Sequence, residues 1–179
     1  MLQHRLKFAV MFTGVHRFQE LGPPWLDRFV NARRVRVSFL SGEDVVPLLT
    51  RPISEFDMTY STGAIDRLVS ATNCQPYLIQ VIAFELVQLL NKEQRKEATP
   101  SDVERAIDKT FEKAGEYFAG VWEDAGPDGQ VILREVVHGK PTSVFPEARR
   151  WLRENDVLTD SDTFAVDMMR IWVEASMMK

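Results

Sequence analysis

The sequence predicts a mainly α-helical protein with a short strand-containing segment at its start. Three observations lead to this fold class. Apolar residues recur at helical spacing through most of residues 41–125, an almost entirely apolar helix begins at Pro76, and residues 126–179 show two short helical patterns followed by a hairpin pattern. Hydrophobic residues make up 45% of the chain and charged residues 27%, which is typical of an ordered globular protein.

Composition narrows the classes of function. The net charge of −4 gives no general attraction to nucleic acid or to an acidic membrane. Cys74 is the only cysteine and the three histidines (His4, His16 and His138) are scattered, so neither a disulfide nor a metal site is expected. No apolar run reaches the length of a membrane span and the start does not resemble a signal peptide, which indicates a cytoplasmic protein.

The first forty residues predict two strands around a short helix. The nearly continuous apolar run at residues 6–12 suits a strand covered on both faces, as in a parallel sheet. A breaker at residues 22–24 precedes a helical pattern at residues 25–30, and residues 34–39 alternate in the manner of an edge strand. Such a strand needs parallel neighbours, so we expect the sequence to begin in the middle of a fold.

Two helices are predicted next. Ser41, with Asp44 three residues later, is a candidate N-cap for a helix that Arg51–Pro52 ends. A second helical pattern covers residues 62–71. Both patterns place apolar side chains on one face, which predicts packing against a common core.

A long buried helix and a well-capped helix follow. Residues 76–91 leave little polar face, so this helix should be the axis of a bundle, and Pro76 at its first turn removes no hydrogen bond. After a charged loop, Thr99 is the predicted N-cap, Pro100 the first helical residue and Asp102 the acid of the first turn.

The last part of the chain has a winged-helix pattern. The Gly–Pro–Asp–Gly sequence at residues 126–129 is the best candidate for a domain boundary. Helices are predicted over residues 130–138 and 146–154, a hairpin over residues 157–166, and a closing helix over residues 167–173. Helix, turn, helix and two-stranded wing, in that order, are the outline of a winged helix.

In this order the segments resemble the C-terminal part of STAND-type P-loop ATPases related to AAA+ proteins. The likeness is greatest to the archaeal and bacterial members that are similar to origin-recognition ATPases. The motifs that carry it are WLDRF at residues 25–29, LSGEDVVPLLTRP at 40–52, TNCQPYLIQVIAFELVQLLN at 72–91 and ATPSDVERAID at 98–108.

The resemblance implies three parts. Residues 1–40 would be the C-terminal piece of the ATPase core, residues 41–125 a helical lid and residues 126–179 a winged-helix domain. The intact protein would be a signalling switch that holds ATP with Mg²⁺ between the lid and a P-loop core. The printed sequence contains neither a Walker A nor a Walker B motif. We therefore expect this chain neither to hydrolyse ATP nor to hold it tightly by itself, and the missing N-terminal core is an expected partner.

The resemblance also assigns nucleotide contacts in the intact protein. Thr13 or Arg17, after the first strand, would lie near the γ-phosphate, and Arg28 would act as an arginine finger. Pro76 matches the proline of the lid's Gly-x-Pro motif near the adenine, with Tyr77 beside it.

Each assignment has a plainer alternative. Thr13 and Arg17 can simply end a strand and begin a solvated loop, Arg28 can be a surface arginine, and Pro76 can be only a first-turn proline. Cys74 stands where the motif has glycine, which puts the geometry of the lid turn in question.

A basic cluster on the second helix of the winged helix raises the question of DNA binding. Arg149, Arg150 and Arg153 lie there, and the first and last share a helical face. Residues 126–179 nevertheless carry seven basic and nine acidic side chains, a balance that repels the phosphate backbone. Protein partners or self-association are therefore favoured over DNA. The alternatives to the ATPase interpretation are a winged-helix DNA-binding regulator and a nucleotide-free protein-interaction module.

Overall fold

Eight helices and one two-stranded sheet make up the part of the chain that the structure describes. The computed structural model describes residues 37–139 and 144–178, together with positions 11, 33 and 35. In chain order the elements are α1 Gly42–Thr50, β1 Thr59–Tyr60, α2 Ala64–Thr72, α3 Pro76–Lys92, β2 Glu97–Ala98, α4 Pro100–Lys113, α5 Gly115–Asp124, α6 Gly126–Val137, α7 Pro146–Glu154 and α8 Asp167–Met177. The prediction of a mainly α-helical fold is confirmed.

Local capping chemistry sets the starts of α1 and α4 as predicted. The Ser41 hydroxyl accepts a hydrogen bond from the Asp44 amide at 3.2 Å, and α1 ends one residue before Arg51. Thr99 and Asp102 form a capping box at the start of α4, in which each side chain accepts from the other residue's amide. Pro100 occupies the first turn of α4, where its missing N–H costs nothing.

Helix α3 is the axis of the bundle, as its apolar sequence predicts. Leu78, Ile79, Ile82 and Leu86 are fully buried along it. The helix packs against α2 and most extensively against α4. Burial of these side chains fixes one face of α3 in the core, and its remaining face is available to line a site.

The parallel sheet is short and joins distant parts of the chain. Thr59 pairs with Glu97 and Tyr60 pairs with Ala98. The strand predicted over residues 34–39 is wrong at its described positions 35 and 37–39, which carry no strand. Alternation alone does not make a strand without a neighbour to complete the ladder, and here the Leu40 amide instead donates to the Cys74 carbonyl at 3.0 Å. The apolar run at residues 6–12 lies outside the described residues except for position 11.

Residues 126–129, the candidate domain boundary, form the first turn of α6. Pro127 is compatible with a first turn, so the Gly–Pro pair starts a helix here. After α7, a single antiparallel bridge joins Leu158 to Phe164, and residues 157–166, where the hairpin is predicted, contain no strand. Ser38–Lys179 form one compact unit, and the division at residue 126 stays a prediction.

One buried cluster runs through that unit. Phe118 of α5 is fully buried and its ring centroid lies 6.2 Å from that of Trp172 in α8. The core therefore connects helices on both sides of residue 126. Among the described helices, none combines the length and hydropathy needed to cross a membrane.

Candidate functional site

The structure describes two of the five predicted nucleotide-contact residues. Pro76 and Tyr77 occupy the first turn of α3. Thr13, Arg17 and Arg28 lie outside the described residues, so their roles stay predictions. The geometry of the candidate site is therefore built from α3 and the elements that contact it.

The turn before α3 has left-handed backbone geometry. Asn73 has φ +46° and Cys74 has φ +63°, and the Asn73 amide donates to the Val69 carbonyl at 2.7 Å to close α2. This is the region that glycine enters freely, at a cost of about 1–2 kcal/mol for other residues. Cys74 therefore adopts a backbone conformation that favours glycine.

Gln75 connects the start of α3 to α5. Its side-chain carbonyl accepts from the Leu78 amide at 2.8 Å, which caps the helix. Its amide nitrogen donates to the Tyr117 hydroxyl at 3.1 Å. One side chain therefore positions both the N-terminus of α3 and a tyrosine of the neighbouring helix.

Two tyrosine rings pack together at this end of α3. The ring centroids of Tyr77 and Tyr117 lie 4.9 Å apart with an interplanar angle of 38°. Tyr77 is 41% exposed, and burial raises the pKa of Tyr117. Tyr117 packs against Tyr77, and the exposed part of Tyr77 forms an aromatic surface on which a flat ring such as adenine can stack.

A cavity lies further along α3, between α1, β1 and the segment after α1. Its volume is about 230 Å³. The residues that line it are Leu48, Leu49, Pro52, Phe56, Tyr60, Ile79, Gln80, Ala83, Phe84, Val87 and Gln88. Apolar side chains dominate its walls, and none of the lining residues is charged.

Tyr60 is the unusual member of this lining. Its hydroxyl is buried and has no hydrogen-bond partner among the described residues. Burial raises the pKa of Tyr60 to about 12, so the group stays protonated in the neutral range. Phe84 lines the same cavity and is 54% exposed.

The side of α3 that faces α4 carries a buried charge. Glu85 is 3% exposed, and its carboxylate lies 2.5 Å from the Lys113 ammonium. The same ammonium lies 5.5 Å from the centroid of the Phe84 ring. Lys113 therefore satisfies a buried acid and helps to position an exposed aromatic ring at the same time.

The arginine cluster predicted as a DNA contact is held by an acid of the hairpin. Asp162 accepts from Arg149 and also from Arg153, with the Arg153 Nη2 atom 2.9 Å from Asp162 Oδ1. Arg150 is exposed on the same helix. A DNA phosphate would have to compete with Asp162 for two of the three guanidinium groups.

Sequence reasoning missed Tyr117 and the cavity. Gln80, Phe84 and Gln88 recur every four residues along α3, which places them on one face of the helix but does not indicate a cavity. No described group of three or more histidine, cysteine or acidic side chains could hold a metal ion. Comparison of the chain with family models, curated proteins and solved structures found no significant match.

Proposed function

We propose that this chain is the lid and winged-helix part of an ATP-binding regulatory switch and does not itself catalyse hydrolysis. The observation that carries the proposal is the start of α3. There a left-handed turn through Cys74 leads to Pro76 in the first helical turn, and exposed Tyr77 rests on Tyr117. That arrangement suits an adenine ring stacked on Tyr77, while phosphates and Mg²⁺ would be bound by a P-loop core.

The aromatic side chains at this site suit stacking on the adenine base. The phosphates would be bound by other groups of the intact protein. An aromatic platform contributes about 1–3 kcal/mol per stacked base. The described part of the chain offers no acidic cluster for Mg²⁺, so residues 38–179 would sense the nucleotide and transmit its presence through their orientation. We propose a cytoplasmic location for the switch, because a single cysteine is typical of proteins that do not depend on disulfides.

Photolabelling tests the adenine contact directly. The purified chain is irradiated with 8-azido-ATP, with and without excess ATP, and the labelled peptides are identified by mass spectrometry. We expect label on the peptides that contain Tyr77 and Tyr117. Tyr77→Ala should reduce labelling at least fivefold, since the loss of stacking is worth about 1–3 kcal/mol.

Phe84→Ala is the matched control, because it removes another exposed aromatic ring of α3 about 10 Å along the helix. It should leave labelling unchanged. Label that is spread over the chain, or that persists in Tyr77→Ala, would show that α3 does not bind adenine.

A nucleotide-free interaction module is the second candidate. It is favoured by exposed apolar side chains close to the cavity, of which Phe84 is 54% and Ile53 66% exposed. This function predicts no specific photolabel and an association state that ATP does not change. DNA regulation is less favoured, because Arg149 and Arg153 already bind Asp162.

A further inference from the structure

The cavity between α1 and α3 has the properties of a small-molecule site that is separate from the nucleotide contact. Its floor includes Leu49 and Ile79, which are 2% and 0% exposed. Its volume of about 230 Å³ exceeds the roughly 150 Å³ of an apolar cavity that binds benzene. An aromatic ring that bears a small substituent would fit.

The lining restricts the charge of the occupant. It consists of apolar side chains, Tyr60 and the two amides Gln80 and Gln88, with no charged group. An ionised ligand would lose its hydration and gain no countercharge, which is strongly unfavourable. The occupant should therefore be neutral.

Tyr60 determines which polar group the occupant should carry. Its buried hydroxyl has no partner within the described chain, and leaving a buried donor unpaired costs free energy. The sheet fixes the backbone on either side, because the Thr59 amide donates to the Lys96 carbonyl at 2.8 Å and the Ser61 amide to the Ala98 carbonyl at 2.9 Å. Since the hydroxyl itself is buried, a ligand acceptor would complete its bonding after a small shift of the lining around it.

We propose that this cavity binds a small neutral molecule with one apolar ring and a carbonyl-type acceptor, which receives a hydrogen bond from Tyr60. Phe84, at 54% exposure, would cover the ring on its solvent side. The proposal does not depend on the assignment of Tyr77 to adenine, because the cavity lining does not include Tyr77.

A matched pair of probes tests both parts of the proposal. Acetophenone and α-methylstyrene have nearly the same shape, but only acetophenone carries an acceptor oxygen. Each is titrated into the full chain labelled with ¹³C at its methyl groups, and binding is followed by NMR. We expect both to shift the methyl signals of Ile79 and Ala83, with acetophenone binding about 2- to 12-fold more tightly.

Substitutions distinguish the hydrogen bond from simple filling of the cavity. Tyr60→Phe should abolish the preference for acetophenone and leave the affinity for α-methylstyrene unchanged. Tyr77→Ala, outside the cavity, should change neither affinity. Should Tyr60→Phe fail to fold, the ratio of the affinities for the two probes in the unmodified chain still tests the hydrogen bond.

Two results would overturn the proposal. If neither probe shifts the methyl signals, the cavity does not bind small neutral molecules of this class. If both bind equally in the unmodified chain, the Tyr60 hydroxyl does not select an acceptor and the proposed ligand class is wrong.

Discussion

Asp102 should be the most consequential carboxylate for the stability of the helical unit. Its side chain is only 4% exposed and accepts from the Thr99 amide at 2.9 Å and the Thr99 hydroxyl at 2.8 Å. It also accepts from two nitrogens of the Arg95 guanidinium, at 3.1 Å and 2.6 Å. One carboxylate thus caps α4 and joins that helix to the loop after α3.

The cost of removing it follows from these contacts. Loss of the reciprocal cap costs about 1 kcal/mol, and hydrogen bonds to a charged group contribute about 1.5–3 kcal/mol. Arg95 is 38% exposed, so water can solvate its charge once Asp102 is gone, and the cost falls below that of a fully buried pair. We expect Asp102→Ala to lower the free energy of unfolding by about 3 kcal/mol.

The pH dependence provides an independent check. Hydrogen bonds from Arg95, and then from Thr99, hold the pKa of Asp102 well below its usual range. The unfolded state therefore binds more protons in acid, so the contribution is fully present above a pKa of about 3.9 and is lost as the pH falls below it. The difference in stability between the unmodified chain and Asp102→Asn should shrink as the pH is lowered from about 6 to about 3.

Urea unfolding followed by circular dichroism measures both effects. Asp108→Asn is the matched control, because Asp108 is exposed on the same helix, and it should change stability by less than about 0.5 kcal/mol. A cost for Asp102→Ala no larger than that of the control would show that the Asp102 contacts do not stabilise the helical unit. A difference for Asp102→Asn that does not vary with pH would refute the electrostatic part alone.

Three further substitutions test other parts of the structure. Cys74→Val should be about 2 kcal/mol less stable than Cys74→Ala in urea unfolding, because a β-branched side chain is crowded at a buried, left-handed position. Asp162→Asn should tighten binding to random-sequence duplex DNA. The slope of the logarithm of the binding constant against the logarithm of the salt concentration should steepen by an amount that corresponds to up to about two more phosphate contacts. The exposed control Asp160→Asn should leave the slope unchanged. Phe118→Ala should cost about 3–5 kcal/mol. The unfolding midpoints measured by tryptophan fluorescence and by circular dichroism should then shift together, because Phe118 contacts Trp172 across residue 126. Separate midpoints would indicate two domains.

The features that were predicted well from the sequence depend on residues that lie close together along the chain. The caps at Ser41 and Thr99 and the first-turn proline at Pro76 need only three or four residues to form, so their chemistry can be recognised without tertiary structure. The break between α4 and α5 at Ala114 was not predicted, because the apolar face continues through it.

Features built from distant segments were not predicted. β1 and β2 have two residues each and pair across a separation of 38 positions, so neither has a detectable alternation. The nucleotide contact of Tyr77 was predicted through a resemblance and stays a prediction, whereas its ring partner Tyr117 lies on another helix and depends on the packing of α5. The cavity combines side chains from Leu48 to Gln88, and the sequence gives no sign that their packing leaves space.

Helix α3 carries residues of both candidate sites. Tyr77 lies at its first turn and Phe84 two turns later, while Leu78, Ile82 and Leu86 fix the opposite side in the core. A helix anchored in this way is not free to bend between the sites, because bending would open the packing along its length. If nucleotide at Tyr77 changes the rest of the protein, the change should be a rigid rotation of the helical unit, with the cavity carried along intact.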